Sequence, residues 1–431
     1  MIRYLKNLSP ARLVALGFAA VILVGAVLLW LPVSANDGVK VSFLDALFTS
    51  TSAVCVTGLI AIDTAEHFNV FGRTVVAALI QIGGLGVTCV GVAFILLAGR
   101  NIGIKGRAII RDTMNFNSVK GVIALVKAIL FMTLCFELAG MGLSFLVFVQ
   151  DYPPLEALGI SAFHAVAAFN NSGFDILGGL RNLIPYQQNV LLNLTTCGLI
   201  IFGGIGFLVI KELWEKRSWK KFSLHTKVVL ATTGVFLAAG TLLLKLTEDI
   251  TWLGAFFQST SARTAGFSTY PIGNFTDAGL FVLAVLMFLG ASPGSTGGGI
   301  KTTTAFVIWR SVYGAATNRD CGAFKRRLPQ EVVLQAYVIA ALALTVVCVQ
   351  TFLMCLAEPG YRFIQLFFEV VSAFGTVGLS TGITPDLGVW GKMILILTMY
   401  IGRLGPLTIA TIWTFKPKAG ARYSEEKVTI G

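Results

Sequence analysis

Two kinds of glycine-rich sequence in this chain could do chemistry. The first is GASPGSTGGGIKTTT at residues 290–304. Loops that follow G-x-x-x-x-G-K-[ST], with a strand before and a helix after, cradle phosphates. Gly294 and Gly299 have that spacing, but Ile300 stands between Gly299 and the pair Lys301–Thr302. What precedes the stretch is an apolar run, FVLAVLMFL, rather than a bounded strand. It is not read as a phosphate cradle, and the chain shows no nucleotide site. The second kind is a set of signatures that align without gaps: CVTGL (55–59), NNSGF (170–174), RTAGF (263–267) and GTVGL (375–379). A cation filter replaces water by backbone carbonyls. Aiming successive carbonyls at one point takes conformations, including positive φ, that glycine adopts at little cost. On this reading one site is lined by Val56, Thr57 and Gly58, by Asn171, Ser172 and Gly173, by Thr264, Ala265 and Gly266, and by Thr376, Val377 and Gly378. No ring of carboxylates accompanies them, so the site favours a monovalent ion.

Something must hold four such loops together. Each signature follows a short apolar stretch: 43–54, 155–169, 252–262 and 363–374. At about a dozen residues these are too short to cross a bilayer, which takes roughly 20. A long apolar segment precedes each, and another follows, carrying IGGLG (82–86), FGGIG (202–206), LGASP (289–293) or IGRLG (401–405). The chain divides into units at 12–100, 121–210, 225–310 and 329–415, with a tail at 416–431. Each unit reads as helix, re-entrant half-helix, extended loop, helix. The expected fold is an all-α polytopic membrane protein, with four pseudo-symmetric helix–pore-loop–helix repeats around one central cation pore. Irregular backbone at membrane depth is tolerated only where it is buried or lines water, which is what a central pore supplies.

Composition agrees with a bilayer environment. Of 431 residues, 55% are hydrophobic and 13% charged, against about 25% charged in a soluble domain. The net charge is +12. Lys and Arg cluster at 1–12, 100–121, 211–227, 310–327 and 416–427, while the other connections carry acids such as Asp63, Asp151, Glu248 and Glu358. That asymmetry places both termini and the basic linkers in the cytoplasm and removes nucleic acid as an explanation of the charge. The seven cysteines lack a CxxC pair and read as small buried hydrophobes. Residues 1–35 resemble a signal peptide, but the apolar run from Leu13 to Leu31 is longer than the usual 7–15, so it is kept as the first helix.

The stretch 290–304 replaces the middle of the third unit's second spanning segment, where the other units are expected to continue as helix. Pro293 breaks a helical ladder, and Gly290, Gly294, Gly297, Gly298 and Gly299 disfavour helix. Such backbone should lie under the filter and act as a gate, with Lys301 and Arg403 as charges that a passing cation would feel. Arg263, Glu137, His164 and Glu369 are the other ionisable residues at membrane depth, a position that marks functional candidates. For Glu137, His164 and Glu369 the expected role is pairing inside the bundle. A carrier with inverted repeats is disfavoured, because an even two-helix unit repeats in parallel. A membrane-embedded enzyme is disfavoured too: the chain has no HExxH and no clustered His/Asp/Glu set that could bind a catalytic metal.

The stretches TSAVCVTGL (51–59), RTAGFSTYP (263–271), AFGTVGLSTG (373–382) and GASPGSTGGGIKTTT resemble the Trk/Ktr/HKT superfamily of potassium transporters, and within it the membrane subunits of bacterial Ktr systems. The resemblance covers essentially the whole chain. It implies potassium uptake across the cytoplasmic membrane, with Gly58 matching the glycine that goes with potassium selectivity. It further implies sodium stimulation, a homodimer, a gating role for 290–304, and a cytosolic KtrA-like nucleotide-binding regulatory ring. A Trk-type transporter of potassium and sodium, or a proton-coupled one, is the alternative within the same superfamily.

Overall fold

The computed structural model describes residues 10–87, 89–92 and 122–411. The basic linker at 100–121 and the tail at 416–431 fall outside the described residues, as do residues 1–9.

Among the described residues, four helices are long and apolar enough to cross a bilayer: α1 (Pro10–Trp30), α4 (Val122–Phe148), α8 (Leu224–Thr247) and α12 (Gln330–Ala357). Each is followed by a short helix: α2 (Phe43–Val54), α5 (Pro154–Phe169), α9 (Trp252–Ser261) and α13 (Phe363–Gly375). The short helices have 12, 16, 10 and 13 residues. At about 1.5 Å per residue they fall short of a bilayer core of about 30 Å. After each comes an irregular loop and then a further helix: α3 (Val70–Leu85), α6 (Val190–Ile205), α10 (Asp277–Phe288) or α14 (Val389–Leu404). The starts are set locally. Ser42 and Thr251 cap α2 and α9, and Asn69, Asn189 and Thr276 cap α3, α6 and α10, each side chain accepting a backbone N–H of the first turn.

Repetition extends to the core. A phenylalanine in each short helix (Phe48, Phe163, Phe257 and Phe368) is buried, as is the apolar residue after each signature glycine, Leu59, Phe174, Phe267 and Leu379. The first helix is an integral member: a Cβ on its Gly25 would overlap the Ser50 hydroxyl, which donates to the Ile22 carbonyl at 2.7 Å.

One expectation is corrected. The second helix of units one, two and four does not continue; it breaks at the last glycine of IGGLG, FGGIG and IGRLG. Gly86, Gly206 and Gly405 have φ of 83°, 95° and 86°, a region that an L-residue enters only with strain. In unit two the chain resumes as α7 (Phe207–Lys216), bent 97° from α6. In unit four it resumes as α15 (Pro406–Thr411). In unit three the break is longer, from Leu289 to Lys301, before α11 (Thr302–Ala316). The stretch 290–304 is thus an enlarged form of a feature that recurs in the other units. A small hairpin, β1 (Gly322–Ala323) with β2 (Arg326–Arg327), is an addition to the all-α plan.

Candidate functional site

The four signatures meet. A Cβ built on Gly58 would overlap the Ser172 carbonyl oxygen; one on Gly173 would stand 2.6 Å from the Ala265 oxygen; one on Gly266 would overlap the Val377 oxygen; one on Gly378 would overlap the Thr57 oxygen. Each unit's glycine therefore abuts the peptide just before the next unit's glycine, and the fourth returns to the first. The loops form a closed ring in chain order.

Within each loop two residues have positive φ: Val56 and Gly58, Asn171 and Gly173, Thr264 and Gly266, Thr376 and Gly378. Four of these eight are not glycine, and for the β-branched ones such a backbone is an outlier held by its surroundings. Val56, Thr57, Asn171, Ser172, Thr264, Ala265, Thr376 and Val377 are fully buried. Among the described residues no hydrogen-bond donor reaches any of their eight carbonyl oxygens. Buried carbonyls are ordinarily paired. Eight unpaired ones around one ring make a surface that suits a cation.

The ring is braced from behind. The Ser52 hydroxyl accepts the Gly58 N–H at 3.0 Å and donates to the Leu59 carbonyl at 2.8 Å. Ser372 accepts the Gly378 N–H at 3.0 Å, and Ser261 donates to the Phe267 carbonyl. The first glycine of each IGGLG-like group in units one, two and four explains that motif: a Cβ on Gly83, Gly203 or Gly402 would overlap the Val54, Phe169 or Phe374 carbonyl at the end of the short helix of its own unit. The motif's recurrence was visible in the sequence, but its two jobs, seating the short helix and breaking the long one, were not.

The stretch 290–304 lies directly against the ring. A Cβ on Gly297 would overlap the Thr264 hydroxyl, and one on Gly298 the Thr376 hydroxyl. Gly299 has φ +67° and packs on Gly375; Gly290 packs on Gly298. The Thr296 and Ser292 N–H groups donate to Gly203 (3.3 Å) and Gly204 (3.0 Å), and the Gly294 carbonyl accepts the Phe207 N–H, freed at the unit-two break, at 3.0 Å. Pro293 packs on that same break at Gly206. Arg403 donates to the Thr296 carbonyl and to the Gly83 carbonyl of unit one. Lys301 donates to the Gly297 carbonyl at 2.7 Å and reaches that of Gly298 at 3.4 Å. All four units thus touch the stretch or the arginine that holds it.

Cavities lie on both sides of this assembly. On the loop side a vestibule of about 360 Å³ is lined by Gly58, Gly266 and Gly378 with Asp175, Asn182, Ser380 and Thr381. On the opposite side a cavity of about 730 Å³ is lined by Pro293, Gly294, Gly297, Lys301 and Arg403. The first cavity is lined by the ring and not by the stretch; the second is lined by the stretch and not by the signature glycines.

The remaining ionisable residues have partners. The Glu369 carboxylate accepts from Ser380, Thr381 and Thr384. His164 meets Thr196 at 2.9 Å, and Glu137 accepts from Asn170 at 3.1 Å. Arg263 donates to Thr233 at 3.3 Å. No group of three or more metal-ligating His, Cys, Asp or Glu exists among the described residues.

Comparison with known proteins bears on this geometry. The family model for TrkH, described as cation transport protein, matches residues 16–250 and 226–420. The chain is 37% identical to the Ktr system potassium uptake protein B of Bacillus subtilis, over 98% of this chain and 97% of that one. It is 36% identical to the potassium/sodium uptake protein NtpJ of Enterococcus hirae, over 100% of this chain and 99% of that one. The crystal structure of the potassium transporter TrkH from Vibrio parahaemolyticus has the same fold: the TM-score is 0.74 at 20% identity, covering 95% of this chain and 86% of that one.

Proposed function

The chain belongs to the TrkH family of cation transport proteins, and on that premise we propose that it carries potassium into the cell through the ring of signature glycines. The single observation that carries this reading is the closed ring of eight buried carbonyls without donors. Backbone oxygens of this kind replace the hydration shell of a monovalent ion. The relatives named for potassium uptake, matched along their whole length, support the choice of ion. In this reading the vestibule faces outward and the basal cavity faces the cytoplasm of a bacterial inner membrane, an orientation that the charge bias of the linkers supports. Sodium stimulation belongs to the same reading, supported by the relative named for potassium and sodium uptake; a partner subunit is supported by relatives named as members of a Ktr system, and a homodimer and a cytosolic nucleotide-binding ring are what the resemblance to that superfamily implies. A potassium-uptake-deficient bacterium expressing the chain should grow at low potassium, and better with sodium present; failure of a well-expressed protein to support growth or vesicle flux would refute it.

The stretch 290–304 is the gate in this reading, since it stands between the two cavities and is tied at Thr296 by Arg403. Arg403→Gln keeps a hydrogen-bonding side chain but removes a fixed charge and one arm of a charge-assisted pair. Maximal potassium flux should rise by about threefold to tenfold, with the potassium-to-sodium preference unchanged. Flux matching the parent's at matched expression would leave Arg403 a tether only.

The vestibule predicts a pH dependence. Burial pushes the Asp175 carboxyl up to about 6, Asp63 nearby adds to the rise, and the Leu177 N–H, the Asn182 amide and Arg181 oppose it. As an acid with a raised value, Asp175 is negative above that pH and becomes neutral as pH falls through it. A lost charge beside the ion's path costs about 1 kcal/mol, so apparent potassium affinity should weaken roughly fivefold from pH 7.5 to 5. Asp175→Asn should flatten that profile; a variant with the parent's slope would assign the titration elsewhere.

A further inference from the structure

Behind the ring, in the wall between units one and two, three oxygens converge on one amide nitrogen. The Asn170 Nδ2 lies 2.8 Å from Gln81 Oε1, 2.9 Å from the Val166 carbonyl and 3.1 Å from Glu137 Oε1. An amide has two protons for these three acceptors. Its own oxygen, Oδ1, has no partner although Asn170 is fully buried. That oxygen is pressed against Gly84, where a Cβ would overlap it. Glu137 sits near the middle of α4, and none of the ion pairs among the described residues includes it. A carboxylate at that depth calls for a compensating charge.

We propose that Glu137, Gln81, Asn170 and the Val166 carbonyl form a binding site for a sodium ion, separate from the ring. A half-turn of the Asn170 amide keeps its outline and brings Oδ1 to the three oxygens. Four oxygens so placed repel one another unless a cation, or a proton on the Glu137 carboxyl, lies among them, and a saturable response to sodium tells the two apart. One carboxylate balances one monovalent charge, whereas calcium takes six to eight oxygens and magnesium a nearly octahedral shell. With Oδ1 in place of the nitrogen, three oxygens would stand 2.8–3.1 Å from it, closer than a large ion's ligands lie to one another, which suits the smaller of the common monovalent ions. The site is placed to act on the pore without lying in it. Asn170 ends α5 and leads directly into the signature residues Asn171 to Gly173. Gln81 stands one turn before the break of α3, two residues from Gly83, whose carbonyl Arg403 holds. Sodium bound there would lock the unit-two loop of the ring to the helix that anchors the gate. The inference rests on the reading of the chain as a potassium pathway and supplies the place where sodium would activate it.

The experiment is a sodium titration of the purified full chain in detergent. Potassium is held constant at a level that saturates the ring, and choline chloride balances ionic strength. The thermal midpoint of the parent should rise saturably with sodium. In Glu137→Gln, and separately in Gln81→Met, the half-maximal sodium concentration should increase at least about tenfold, or about 1.4 kcal/mol, or the shift should vanish. The stimulation of potassium flux by sodium in vesicles should move in parallel. Using two variants guards against one that does not fold. An absent shift in the parent, or equal midpoints in the parent and both variants, overturns the site. A sodium shift that the variants weaken, in a chain whose vesicles carry no potassium, would uphold the site and refute the transport reading instead.

Discussion

Replacing Gly266 with serine is expected to weaken apparent potassium affinity at least about tenfold, worsen discrimination against sodium, or both. Two independent causes act there. Gly266 has φ +78°, where a side chain costs of order 1–3 kcal/mol. Its added Cβ would also overlap the Val377 carbonyl of unit four, so the ring must open at that joint. Opening one joint moves carbonyls contributed by two units and spoils the match between ring and ion. The matched control is Gly234, inside α8, where a Cβ meets nothing within 4 Å. Gly234→Ser should leave affinity and selectivity within about twofold, since a small exposed-side change in a helix costs under about 1 kcal/mol. Uptake assays of the two variants at matched expression decide the matter: equal, small effects would remove the glycine ring from the ion's path.

Deleting residues 293–299 is expected to raise maximal potassium flux by roughly tenfold, equivalent to about 1.4 kcal/mol in a barrier. Apparent affinity should change much less. The deletion is feasible because the stretch leaves and rejoins the third unit at nearly one place. Leu289 and Ile300 form a bridge, the Thr302 N–H donates to the Ala291 carbonyl at 3.2 Å, and the Ser292 and Thr302 hydroxyls meet at 3.0 Å. Removing the excursion takes away Thr296, the contact of Arg403, and Gly297 and Gly298, which sit on Thr264 and Thr376. The ring's own bracing serines, Ser52, Ser261 and Ser372, lie outside the deletion, which is why affinity should hold. Unchanged or lower flux in a well-expressed variant would make the stretch a structural plug between helices and not a gate.

The same residues show how far sequence carries. The membrane environment followed from composition and from the recurrence of apolar segments. The four signatures were found because each needs its own backbone geometry, and glycine at one fixed place is how a chain records such a need. The irregular backbone at 290–304 was legible for the same reason: proline and clustered glycines oppose helix wherever they stand. The helix breaks at Gly86, Gly206 and Gly405 were missed. A lone glycine in an apolar run fits a continuous helix as well as a broken one, and what tips the balance is the neighbour that satisfies the freed groups, as Gly294 does for Phe207.

Composition, periodicity and local conformational preference thus determined the class of protein, its fourfold plan and which residues form the ring and the irregular stretch proposed as its gate. Tertiary structure alone decided which signature abuts which, that eight carbonyls are left without donors, that Arg403 reaches Thr296 and Gly83, and that Glu137, Gln81 and Asn170 share one pocket. Those partners lie as far as 320 positions apart in the chain. Local preference acts over a few bonds, whereas contacts between distant segments exist only once four units have packed around one axis.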